Sequence, residues 1–299
     1  MVIGFLLVIT AGLLWIGIGV SVSLCAKRGW NYNVVQGINY LVASLACLVL
    51  MGANNTDFFT GANNWTVFLF CCLAGFANYG IYILTAKAMQ CGPNGLVWGI
   101  MQSGMIGTFL MGLVFFHEKA ALLQLTGLVL ILGGILAMGF GKNNDTKGNG
   151  RRWILFSLGA MALSMTTQCF NILPSYFSDT SGVSSLFRTC GFYFGGVLGF
   201  VLTALPSLVR RREYGRRGEW ITAGVLICLN TAANVLFFYR GLDILTKNGC
   251  GGLGYPLAIG ACVAGFSLYS LLILKEKFAR LSLAGLAAVC FGIIIIAIR

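Results

Sequence analysis

Seven carboxamide side chains stand inside runs of otherwise apolar sequence: Asn39, Asn78, Gln102, Gln168, Asn171, Asn230 and Asn234. An amide in hydrocarbon is costly unless it meets a partner helix or a wet cavity. Because it both donates and accepts, it suits hydroxyls, amides and zwitterions better than bulky cations. The acids follow the opposite pattern. Asp57, Glu118, Asp145, Asp179, Glu213, Glu219, Asp243 and Glu276 all fall between apolar runs or at their ends, so no carboxylate is expected at mid-membrane. Asp243 is the acid best placed to serve coupling at a cavity mouth. Asn78, Asn234, Gln102 and Gln168 are the leading candidates for solute contact, with interhelical glue as the alternative role for each. Trp15, Tyr40, Tyr82 and Trp98 either wall the same cavity by stacking or anchor span ends at the interface. Arg188, near the start of a span, either clamps an anionic group or snorkels to the interface.

Other reactive side chains point away from catalysis. Eleven cysteines lie largely in apolar settings, show no CxxC spacing and have one histidine, His117, to join them. No metal, cofactor or disulfide framework is expected. Neither HExxH, nor GxSxG, nor paired intramembrane acids occur, so an enzyme acting on lipid or a lipid-linked sugar lacks its machinery. Glu118 and Glu276 read as structural, each starting a helix where free amides favour a carboxylate, and each followed by a lysine within reach of lipid phosphate.

The elements that position these residues follow from composition. The chain has 299 residues, 58% of them hydrophobic and 9% charged, with a mean hydropathy of +0.87, which is the composition of an all-helical polytopic membrane protein. Its apolar runs cover approximately 2–25, 34–51, 66–86, 95–116, 121–141, 153–173, 183–205, 220–239, 252–274 and 282–298. Helices are expected because an open sheet leaves backbone groups unpaired in lipid and the alternation of a barrel is absent. Ten spans leave no room for a separate soluble domain. The first run reads as a span rather than a removed signal, since no basic region precedes it. The net charge of +12 belongs to the connections, densest at Arg210, Arg211, Arg212, Arg216 and Arg217, and addresses anionic lipid rather than nucleic acid. A polar stretch over 143–152 separates a first half, 1–142, from a second, 153–299.

The two halves share a plan. A shift of 158 residues lays Glu118 and Lys119 on Glu276 and Lys277, Gly107 on Gly265, Gly127 on Gly285 and Gly134 on Gly292. Smaller shifts superimpose Asn78 on Asn234 and Gln36 on Arg188. The paired glycines are two turns apart, so each pair lies on one helix face where another backbone can approach, within the chain or across a homodimer seam. Five spans per half force the second copy to insert upside down, which makes an inverted 5+5 repeat and the mechanics of alternating access.

The glutamate-plus-base turn followed by two spaced glycines, present at Glu118 and Glu276, together with Trp15 and Gly17, resembles the EamA-type branch of the drug/metabolite transporter superfamily. That resemblance covers essentially the whole chain. It implies a ten-helix carrier with a central cavity lined by the first four helices of each half, the fifth and tenth being peripheral. It also implies cargo such as amino acids, sugars, nucleotide-linked sugars or other metabolites. The superfamily's small multidrug exporters rely on a buried glutamate that this chain lacks. The stretch CAKRGWNYNVVQGINYLVAS is similar to bacterial sugar-uptake members such as the rhamnose/proton symporters. Odd-numbered connections hold fifteen Lys and Arg and even-numbered ones three, so the odd ones are expected in the cytoplasm and both termini outside, whereas the family is drawn with termini inside. The expectation is a monomeric or homodimeric permease in the inner (plasma) membrane of a bacterium. Its partners are a small-molecule solute and membrane lipid. An accessory subunit that moves a larger partner's cargo is the remaining alternative.

Overall fold

The structure is a computed structural model and describes residues 1–53, 62–91, 94–141, 152–180, 183–212, 215–273, 275 and 279–297. Glu276, Lys277, Asp57, Asp145, Glu213 and most of the 143–152 linker lie outside the described residues. Among those described, all regular structure is helical: α1 Val2–Leu14, α2 Ile16–Arg28, α3 Tyr32–Ala53, α4 Ala62–Cys91, α5 Asn94–Gln102, α6 Ile106–Val114 and α7 Leu122–Gly141 in the first half. The second half holds α8 Arg152–Tyr176, α9 Ser185–Thr203, α10 Leu205–Arg211, α11 Arg217–Ala232, α12 Tyr239–Lys247, α13 Gly254–Leu272 and α14 Arg280–Ala297.

Nine helical stretches among the described residues are long and apolar enough to cross a membrane, and Leu122–Met138 is a slightly shorter apolar helix. This is the make-up of an integral membrane protein. Large apolar side chains such as Leu45, Val49, Leu69, Val129, Leu155, Leu202 and Phe291 point outward, as a lipid-facing surface requires. The described residues of each apolar run lie almost entirely in helix. The short α10 was not anticipated; Pro206 at its first turn, where no backbone donor is needed, starts it after α9 ends.

Three rods are interrupted without being broken apart. α1 and α2 meet at Trp15, α5 and α6 are joined by a 3-10 turn at Ser103–Met105, and α11 and α12 by a π-helical segment at Ala233–Phe238. Gly29, at φ 61°, closes α2 by taking the left-handed conformation and donating its amide to Cys25 O.

Packing follows the glycines. A Cβ added at Gly134 would lie 2.5 Å from Gly285 O, and one at Gly285 would lie 2.6 Å from Gly134 O. Gly127 and Gly292 oppose each other likewise, at 2.8 and 2.6 Å. The two glycine pairs recognised in the sequence are therefore each other's partners, and α7 and α14 run antiparallel in backbone contact. α4 and α9 meet through Gly75 and Gly195 in the same way, a Cβ at either falling 1.8 Å from a carbonyl oxygen of the other helix. Contacts exchange between the halves: α1 packs on α12 and α13, while α8 packs on α4, α5 and α6. α3 packs on α9 and α11, and α9 on α3 and α4.

Two faces result. One brings Arg28, Trp30 and Asn31 to the start of α11, where Glu219 accepts the amides of Asn31 (2.7 Å) and Arg216 (2.5 Å). It also carries Lys87, Arg210 and Arg280 and is the basic face. The opposite face joins the end of α6 to the start of α13 and the start of α4 to Asp179.

Candidate functional site

A cavity of about 710 Å³ opens between the helices. Most of its polar wall sits at helical spacing, which puts side chains on one face of each rod. α8 contributes Ser164, Thr167, Gln168 and Asn171; α11 and the π segment contribute Asn230 and Asn234; α3 contributes Gln36, Asn39 and Tyr40; α4 contributes Asn78 and Tyr82. Trp15, Trp98 and Gln102 complete it from the first and fourth rods, and Tyr239, Tyr255 and Phe238 from the far side. Trp15, Gln102 and Asn234 each stand at one of the three helix interruptions. A π segment leaves backbone groups with altered partners and recurs where a helix serves a site.

The polar groups are partly paired. Asn78 Nδ2 donates to Tyr40 OH at 2.8 Å, and Gln168 Nε2 to Ser164 Oγ at 2.8 Å. Gln36 donates to Tyr32 OH and accepts from Asn39 Nδ2 at 3.2 Å. Tyr239 OH donates to Asn171 Oδ1 at 3.1 Å, and Tyr193 OH pairs with Thr231 Oγ1 at 3.2 Å. Three amide oxygens, Asn39 Oδ1, Gln168 Oε1 and Asn230 Oδ1, are buried with no partner. Aromatic rings close the floor: Trp15 lies 4.7 Å from Phe238 and 6.4 Å from Tyr255, centroid to centroid.

The cavity is one-sided. Its lining extends to Ser23, Met89, Ser270, Ala279 and Ser282, at the basic face, and Ala279 is exposed. In the other direction it stops at Asn171, Tyr239 and Tyr255. Beneath that floor lies Arg188, wholly buried, with its guanidinium carbon 5.7 Å from the centre of the Tyr239 ring. Nη1 donates to Asp243 Oδ1 and Ser175 Oγ, both at 2.9 Å, and Nη2 to Thr180 O at 3.1 Å; Nε has no partner. Further out, Phe116 and Tyr176 stack at 3.8 Å, and Glu118 accepts the amides of Gly251 (2.6 Å) and Gly252 (3.0 Å).

Of the residues singled out from sequence, Asn78, Asn234, Gln102, Gln168, Trp15, Tyr40 and Tyr82 share this cavity, as does Trp98. Arg188 does not. It neither faces the cavity nor snorkels outward, because Asp243 on α12, Ser175 and the Thr180 carbonyl hold its two terminal nitrogens. Asp243 is likewise withdrawn from the cavity by that pairing. Glu118 does not start its own helix; it lies in the turn before α7 and caps the amides leading into α13. Ile135 and Met138 of α7 and Ser282 of α14 also line the cavity, so the helices of the fifth and tenth apolar runs are not wholly peripheral. Sequence reasoning passed over Tyr193, Tyr239 and Tyr255, whose signal was available: a phenol in mid-span needs a partner for its hydroxyl.

No family model and no curated protein matches the sequence. Among solved structures 28 chains match. One of them, described only as "Crystal structure of protein", superposes with a TM-score of 0.70 over 98% of this chain and 95% of its own, at 13% identity. At that identity the likeness is one of fold.

Proposed function

We propose that the protein is a carrier that moves a small polar metabolite, such as an amino acid or a sugar, across the membrane by alternating access. The observation that carries this reading is the one-sided cavity: a wet-sized space walled by amides and tyrosines, reaching one face and sealed from the other by several packed layers. A structural core of this size would be filled, since protein interiors hold few voids larger than a water molecule. Ten spans in an inverted 5+5 repeat are part of the proposal. The exchanged packing of the two halves and the mutual seating of their glycine pairs support it. So does the resemblance of the Glu118 and Glu276 segments to EamA-type drug/metabolite transporters.

With the basic face in the cytoplasm, as the Lys and Arg distribution favours, the cavity is open inward. The Arg188/Asp243 layer then closes the outer side, in the inner membrane of a bacterium. Transport toward either side requires that layer to part and the basic-face ends of the helices to close. Purified protein in liposomes is expected to give saturable counterflow of its solute. Asn234→Ala should lower that flux about tenfold, as loss of a hydrogen bond to the solute implies, while leaving the unfolding midpoint nearly unchanged; Asn78→Ala should lower flux similarly but also lower the midpoint, because it strands the buried Tyr40 hydroxyl. Monodisperse protein that exchanges no solute from a panel of amino acids, sugars, nucleosides and polyamines would overturn the reading.

A further inference from the structure

At the sealed face Arg188 ties three helices together: from α9 its guanidinium donates to Ser175 at the end of α8, to Asp243 on α12 and to the Thr180 carbonyl. The correspondence of the halves locates the counterparts of these residues. The shift of 152 residues that lays Gln36 on Arg188 also lays Ser23 on Ser175. It is also the register of the cavity wall, since it pairs Gly19 with Asn171 on α2 and α8 and Tyr40 with Phe192 on α3 and α9, all of which line the cavity. Between α4 and α12 the shift is 157, which pairs the lining residues Tyr82 and Tyr239 and lays Ala86 on Asp243. Asn78 and Asn234 correspond at 156, and the one-residue step falls within the π segment, whose wider turn takes up the extra residue. The turns before α7 and α14 match as well: His117 and Lys275, 158 apart, both take the left-handed conformation, at φ 52° and 53°.

The counterparts stand apart. Among the described residues Gln36 bonds only within its own helix, to Tyr32 and Asn39. Ser23 lines the mouth of the cavity and Ala86 is exposed. One set therefore bridges helices and shuts its face, while the equivalent set borders the face that is open. We infer that Gln36, Ser23 and Ala86 meet when the basic face closes in the alternate state, and that the unequal chemistry of the two seals holds the empty carrier open to the basic face. A guanidinium–carboxylate contact is charge-assisted, roughly twice as strong as a neutral hydrogen bond. Gln36 and Ser23 offer only neutral bonds, and Ala86 offers none. Two conformations that differ in the strength of their seals populate mainly the one with the stronger seal. Water that enters as the Arg188/Asp243 layer parts rehydrates both ions, which keeps the bias small enough for turnover. This inference rests on the carrier reading and its inverted repeat, and assigns the side chains that set the resting orientation.

The test uses the full chain in liposomes without added solute, with the native thiols removed and Asn171→Cys at the cavity floor as reporter, read by an impermeant maleimide from each face. With the seals unaltered, labelling should come from the basic face. Gln36→Arg with Ala86→Asp builds the ion pair at the basic face as well, so labelling from the two faces should become comparable; either substitution alone makes no pair and should not do this. Adding Arg188→Gln and Asp243→Ala exchanges the seals and should reverse the sidedness. A folded exchange variant still labelled from the basic face alone would overturn the inference. A second arm adds no charge. Arg188→Gln with Asp243→Ala makes both seals neutral and should give labelling from both faces; in that background Ala86→Phe, bulk at an exposed position, should block closure of the basic face and abolish labelling from the opposite one. Opposite-face labelling that survives Ala86→Phe would also overturn the assignment. Counterflow of a panel solute by the unaltered protein, alongside either of those failures, would sink the seals and leave the carrier standing. Absence of counterflow for every panel solute would sink both.

Discussion

Arg188 shows how much one side chain's meaning depends on its partners. In the sequence it is a lone base near the start of a span; in the fold it is the centre of a buried network with Asp243, Ser175 and Thr180 O. Removing one member of a buried pair strands the other, at a cost on the order of 3 kcal/mol, whereas replacing both by apolar groups is often neutral. Asp243 keeps 20% exposure, which reduces the penalty for stranding it. Arg188→Met and Asp243→Leu alone should each lower the unfolding midpoint, and the double variant should recover much of the loss. A double variant as unstable as the sum of the singles would show that the two side chains do not act as a pair. Polar residues in the cavity were legible because a local rule exposes them: an amide or a phenol amid apolar neighbours needs a reason. Arg188 obeyed that rule too, but its partner is 55 residues away, and nothing in the sequence says which acid it meets.

At the level of the helices, close approach is set by glycine, and α7 carries its own control. Gly133 has open space where a Cβ would go, while one at Gly134 would lie 2.5 Å from Gly285 O. Gly133→Ala should therefore be neutral or stabilising by up to about 1 kcal/mol, through helix propensity alone. Gly134→Ala should force α7 from α14 and lower the midpoint markedly, because backbone cannot yield as a flexible side chain does. Equal midpoints for the two variants would remove the α7/α14 seam from the account. The spacing of Gly127 and Gly134, and of Gly285 and Gly292, already put each pair on one face. That the two faces seat on each other, within the chain, needed the fold. None of the interruptions at Trp15, Ser103–Met105 and Ala233–Phe238 holds a proline; Ser103 and Gly104 form the kind of pair that kinks a helix, while the other two became visible only in the fold.

For the whole molecule, the testable property is sidedness. In a background with the native thiols removed, Ser23→Cys and Ser270→Cys should react with a membrane-impermeant maleimide added to the basic face and not to the other. Asn171→Cys, at the cavity floor, should react more slowly from the same face, and a saturating solute should slow it further. Reaction of Asn171→Cys from the opposite face alone would mean that the Arg188/Asp243 layer is not the seal described here. Variants that break that layer should make Asn171→Cys reactive from both sides.

The membrane setting, the helical class and the presence of amides where lipid would forbid them are properties of composition and spacing, because the cost of a polar group in hydrocarbon is charged residue by residue. The correspondence between the halves is likewise written in the order of their glycines and glutamates. Which amides keep an unpaired oxygen, which acid neutralises Arg188, and which amides Glu118 caps 133 residues away are products of contacts between distant segments. So is the face to which the cavity opens, since it depends on where the packed helices leave a gap.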